Sequence, residues 1–253
     1  MVTLARLQFQ QLLTGRKIFL LVIFVLLPVA MTATLAVNDA FQDEGLETVA
    51  VYLFVLHPVA FSILLSLVYG SSILGGDVDD QTIVYLFTRA KPRWQVLIGK
   101  YLAVILLLVV CGVVDFLISW ILLGCPGGAP IAFAFVLATV AAVVGYTAIF
   151  VALGVLFAKH SMVVGLLYVF VLEISLSFVP AVVNKLTVTH HLRSIVVRLG
   201  GFEVDDLDPK IISMVGDASV PEAFLALALV TSLALGIAAV IVTGREYSGA
   251  PQT

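Results

Sequence analysis

The sequence predicts an all-α polytopic membrane protein: six transmembrane helices, an N-terminal interfacial helix, a cytoplasmic coupling helix and an amphipathic outer segment between spans five and six. Three observations predict it. The 253 residues are 62% hydrophobic and 11% charged, against roughly 25% charged in soluble domains. Several apolar runs reach the ~20 residues that a helix needs to cross about 30 Å of hydrocarbon. Most of the charges gather in short passages between those runs. A single transmembrane domain, residues 1–253, accounts for the chain, with no linker and no internal repeat. The net charge of −3 decides little, because in membrane proteins the placement of Lys and Arg matters more than their sum. No basic run suggests nucleic acid.

Taken in order, residues 1–17 mix Leu4, Leu7, Phe9, Leu12 and Leu13 with Arg6, Gln8, Gln10 and Gln11, the pattern of a helix lying in the membrane interface. Residues 18–37 are the first span, longer than the apolar core of a secretory signal. An acidic loop without Lys or Arg follows at 38–48. Residues 50–74 are the second span, in which His57-Pro58 perturbs the hydrogen-bond ladder, since proline brings no N–H. Residues 96–123 are the third span and contain Asp115. A Gly/Pro-rich turn at 124–130 leads to the fourth, residues 131–158. Lys159-His160-Ser161 turns the chain into the fifth, residues 162–183, which contains Glu173. In the polar stretch after it, Leu192, Ile195, Val196 and Leu199 recur at helical spacing and predict a short amphipathic helix. Residues 221–243 are the sixth span, with Pro221 and Glu222 favourable at a helix start.

Orientation follows from the cations. With the N-terminus inside, the cytoplasmic segments hold Arg6, Arg16, Lys17, Arg89, Lys91, Arg93, Lys100, Lys159 and Arg245, nine of the thirteen. The first two outer loops hold none, as the positive-inside rule expects. Both termini and the loop after span two are therefore expected in the cytoplasm.

That loop is the most informative passage. Asp79 and Asp80 suit a helix N-terminus, where carboxylates meet the positive end of the dipole. Ile83, Leu86, Phe87 and Ala90 make one apolar stripe, Arg89, Lys91 and Arg93 sit at the favourable C-terminal end, and Pro92 stops the helix. A short amphipathic helix between two spans is shaped to dock into a partner's groove. The run from Thr82 to Lys100, with Arg89, Arg93, Trp94, Gly99 and Lys100 at their spacings, resembles the first cytoplasmic loop of type-2 ABC exporter permeases. That loop commonly reads acidic residue, Gly-Thr-Leu, a leucine-rich stretch, Arg-Pro, Arg-Trp and then Gly-Lys. Here Gln81 stands in place of glycine, Ala90 in place of proline and Ile83 in place of leucine, and Asp77 and Asp79 replace glutamates.

The resemblance implies a transport subunit of the bacterial inner membrane, paired with a second permease copy as homodimer or heterodimer. It also implies two copies of a nucleotide-binding ATPase subunit, which would hold ATP and magnesium. Asp79, Asp80, Thr82, Ile83, Leu86, Phe87, Arg89 and Arg93 would form the ATPase-docking helix. The segment after span five is similar to the family's outer re-entrant or capping element. The chain itself lacks G-x-x-x-x-G-K-[ST], because Gly99-Lys100 has no first glycine and is followed by Tyr101. It is not expected to be an enzyme or to hold a cofactor. Two other classes fit the same residues: an ion-coupled secondary transporter working alone, and a membrane scaffold that docks a soluble partner.

Asp115 and Glu173 are carboxylates inside predicted spans, where charge is costly and therefore marks candidate function. Both are candidates for a translocation path, against the plainer reading of a hydrogen-bonded carboxylate that packs helices. Ser175 and Ser177 near Glu173 tilt that residue toward function; for Asp115 the two readings are even. His190-His191, His57 and His160 show no metal-ligand spacing. Cys111 and Cys125 are about 21 Å apart along a helix, too far for a disulfide.

Overall fold

A computed structural model describes residues 16–38, 45–79, 92–175, 185, 187–202 and 219–244. Among them the regular elements are all helices. In chain order they are α1 (Arg16–Val37), α2 (Leu46–Phe54), α3 (Ser62–Asp79), α4 (Arg93–Leu122), α5 (Gly128–Leu156), α6 (Ser161–Tyr168), α7 (Val188–Leu199) and α8 (Val220–Gly244). A first π-helical stretch, Val55–Phe61, joins α2 to α3, and a second, Val169–Ser175, extends α6. Among the described residues five helices are long and apolar enough to cross a membrane: α1, α2 continued through α3, α4, α5 and α8. This is an all-α polytopic membrane protein.

Of the fifth expected span, residues 162–183, the structure describes the apolar helix Ser161–Ser175; residues 176–183 lie outside the described residues, as do the expected interfacial helix up to residue 15 and residues 80–91 of the expected docking helix. Element ends differ from the sequence reading for local reasons. The second helix starts at Leu46, with Glu47 in its first turn, where a carboxylate is favoured. The fourth long helix starts at Gly128, with Pro130 in its first turn, where a missing N–H is harmless. In the turn before it, Gly127 has φ +66°, and a Cβ there would run into Ile131.

Helix α5 is the centre. Of its most apolar window, 67% is buried, against 17% for α1 and 22% for α8, so those two lie at the outside of the bundle. A helix that is apolar all round belongs inside, and α5 packs against α3, α4, α6, α7, α8 and the first π stretch. The α3 crossing is closest. A Cβ on Gly154 would lie 2.6 Å from the Ser71 carbonyl oxygen, and one on Gly70 would lie 3.0 Å from Phe150 Cβ. Small residues let the backbones meet there, and buried Ser66 and Thr147 hydroxyls bond across the seam at 3.0 Å.

The predicted amphipathic segment is the helix α7, with Leu192 and Ile195 fully buried. It is sunk into the bundle rather than laid on its surface. Val188 at its start lies against Gly145, and Thr189 bonds Tyr146, both well inside α5.

Candidate functional site

Proline explains the first π stretch. Pro58 has no N–H to return to the preceding turn, and the backbone widens over Val55–Phe61. Ser62 Oγ donates to the His57 carbonyl five residues back at 3.3 Å. The second π stretch closes in the same manner, Ser175 Oγ donating to the Phe170 carbonyl at 2.8 Å. Such single-turn bulges recur at functional sites, and each of these two carries a buried titratable group, His57 and Glu173.

Glu173, only 3% exposed, accepts five hydrogen bonds. Its Oε2 receives the Tyr146 hydroxyl at 3.0 Å, the Thr189 hydroxyl at 2.7 Å and the Thr189 N–H at 3.3 Å. Its Oε1 receives the Tyr168 hydroxyl at 3.0 Å and the Val188 N–H at 3.2 Å. Two of the donors are orphan N–H groups of the first turn of α7, where the helix dipole favours a negative charge. Thr187 Oγ1 takes a third, the His190 N–H, at 3.2 Å. A carboxylate offers about four lone-pair sites, so these donors saturate it. The arrangement fastens α6, α5 and α7 at one point.

Asp115 stands elsewhere. On α4 its Oδ2 lies 3.0 Å from His57 Nδ1, and both side chains are 0% exposed. The His57 ring meets Phe116 edge-on at 5.6 Å, and Phe116 stacks on Phe135 at 5.3 Å. Asp115 Oδ1, His57 Nε2, Ser119 Oγ and Thr139 Oγ1 are buried and have no hydrogen-bond partner among the described residues. Nearby, Thr32 of α1 and Tyr52 of α2 are joined through their hydroxyls at 3.1 Å. The two carboxylates singled out by sequence therefore occupy separate sites.

Beside Glu173 lies a cavity of about 610 Å³, walled by α2, the first π stretch, the start of α3, the second π stretch and α7. The wall is apolar except for Glu47, Glu173, Thr189 and Arg193. Glu173 reaches it, whereas Asp115 does not: the first π stretch turns Val55 and Val59 to the cavity and His57 to the interior. The Arg193 guanidinium lies 6.0 Å from the centre of the Phe54 ring, and burial lowers its pKa from the ordinary value.

A family model for ABC-2 family transporter proteins matches residues 2–199. The chain belongs to the ABC-2 transporter family. No individually curated protein matches it. An ABC-2 permease is the membrane subunit of an ABC transporter, a class that in general works with an ATPase subunit, and the five apolar helices suit that role. Of the permease's expected docking residues, Asp79 ends α3 and Arg93 begins α4; Asp80, Thr82, Ile83, Leu86, Phe87 and Arg89 lie outside the described residues.

Sequence reasoning passed over the partners. His57 appeared there as the neighbour of a proline and as one of four histidines without metal-ligand spacing, yet an ionisable residue in a span points to a partner in another span, and Asp115 was the available carboxylate. For Tyr146, Tyr168 and Thr189 no such signal exists, because hydroxyl residues are common in apolar helices.

Proposed function

We propose that this permease is the membrane half of an ATP-driven exporter, operating as a pair of permeases with two copies of a separate ATPase. The family match over residues 2–199 carries the reading. The sequence of residues 79–93, an acidic start, an apolar stripe and a basic end, supports docking of the ATPase in the loop between α3 and α4. In this reading both termini and that loop face the cytoplasm, residues 162–183 complete a sixth span, and ATP-driven closure of the ATPases pushes on the loop and so on α3 and α4.

The cavity is the proposed translocation path within each permease, with Glu173 at its polar end and Asp115 acting from behind the first π stretch. Its apolar wall favours cargo that partitions into membranes.

Affinity purification from the native membrane in mild detergent, with mass spectrometry of the co-purifying chains, tests the reading. A Walker-type ATPase should be recovered at near-stoichiometric yield and lost on Leu86→Asp or Phe87→Asp. Intact co-purification with those variants refutes the docking role. A chain that purifies alone and transports along an ion gradient refutes the ATP-driven reading.

A further inference from the structure

The buried pair between the first π stretch and α4 has a consequence independent of the transport reading. A neutral imidazole beside a carboxylate leaves one net negative charge enclosed in an apolar bundle. One further proton makes the pair net neutral, whether it is written as imidazolium with carboxylate or imidazole with carboxyl. An uncompensated buried charge is much the costlier of the two states. Among the described residues the only cation-forming group acting on Asp115 is His57. The other titratable neighbours are the Tyr52 phenol of α2 and the Cys111 thiol of α4. From α1, α3 and α5 come only the hydroxyls of Thr32, Ser62 and Thr139. None of these supplies positive charge.

The surroundings are built for release as well as for holding. Asp115 Oδ1 and His57 Nε2 keep unused hydrogen-bonding capacity, as do Ser119 Oγ and Thr139 Oγ1. Ser119 is one turn beyond Asp115 on the same helix face, and the Thr139 methyl faces Gly112, one turn before it. These polar atoms flank the pair along α4. The wall opposite α4 is the first π stretch, where Pro58 interrupts the helical ladder between α2 and α3, and it also fronts the cavity through Val55 and Val59.

We propose that His57 and Asp115 form a proton-binding site inside the bundle, holding one proton between them while the first π stretch is closed against α4. The proton comes from bulk water and returns to it; one N–H or O–H bond forms or breaks and no other bond changes. Its loss leaves a charge that needs water, which favours movement of the π stretch away from α4 and so alters the wall of the cavity.

The test is thermal unfolding of the full chain in detergent micelles from neutral to alkaline pH, beside the His57→Gln, Asp115→Asn double variant, whose amides retain the contact but bind no proton. A proton taken up on folding makes the wild type lose stability as pH rises. One proton corresponds to a Tm falling roughly 3–5 °C per pH unit more steeply than in the variant. Parallel curves overturn the proposal. If the double variant does not fold, infrared difference spectra of the wild type decide, taken above the range in which exposed histidines and carboxyls titrate. Loss of an imidazolium or carboxyl band there supports the site, and a spectrum without one overturns it.

Discussion

Asp115 and His57, 58 positions apart in the chain, meet at 3.0 Å with neither side chain exposed. The pair ties the interrupted part of one long helix to the middle of another. Removing one partner of a buried pair strands the other. His57→Leu, which leaves the Asp115 carboxylate alone, should therefore cost about 3–5 kcal/mol, read as a lowered unfolding midpoint in detergent. The His57→Leu, Asp115→Leu double variant should recover much of that loss, because no charge is then left inside. Additive losses would show that the two side chains do not interact.

Glu173 is expected to behave as a clamp on α7. Glu173→Gln places an amide where five donors converge, so the Val188 and Thr189 N–H groups lose part of their acceptor. Hydrogen exchange at those two amides should accelerate, with the middle of α5 staying protected. Thr189→Val, which removes the 2.7 Å bond, should cost about 1–2 kcal/mol, the upper range for bonds between membrane helices. Unchanged exchange in Glu173→Gln would count against the clamp.

The α3–α5 crossing should be intolerant of added volume. Gly154→Val forces a side chain against the Ser71 backbone, and overpacking of this kind costs about 1–3 kcal/mol. Gly236 on α8 meets nothing within 4 Å; Gly236→Ala should be neutral or stabilising by up to about 1 kcal/mol through helix propensity. Comparison of the two unfolding midpoints separates contact from propensity.

Filling the cavity should separate transport from assembly. Ala60 lines it, and Ala60→Trp should occupy much of the apolar space. Transport in vesicles is expected to fall at least tenfold while co-purification of the ATPase persists. Full transport in Ala60→Trp would remove the cavity from the path.

Much of this was legible along the chain. Apolar runs of spanning length located all five long helices, because a backbone in lipid must satisfy its own hydrogen bonds within the segment, and that demand is local. The widened turn was foreshadowed by Pro58 for the same reason. The period of Leu192, Ile195 and Val196 announced α7, since one face of it is buried.

What the tertiary structure alone decided was partnership and depth. Helix α5 is apolar throughout, so its sequence does not show which side meets α3 or α7. Asp115 could have faced cargo; instead helix rotation and register set it against His57. Glu173 could have met the cavity without partners; instead the start of α7 descends to it and supplies two N–H groups. Hydropathy records how much of a segment avoids water. Which buried polar groups meet depends on how the helices rotate and cross, and that is set by close contacts such as Gly154 on Ser71, between residues far apart in the chain.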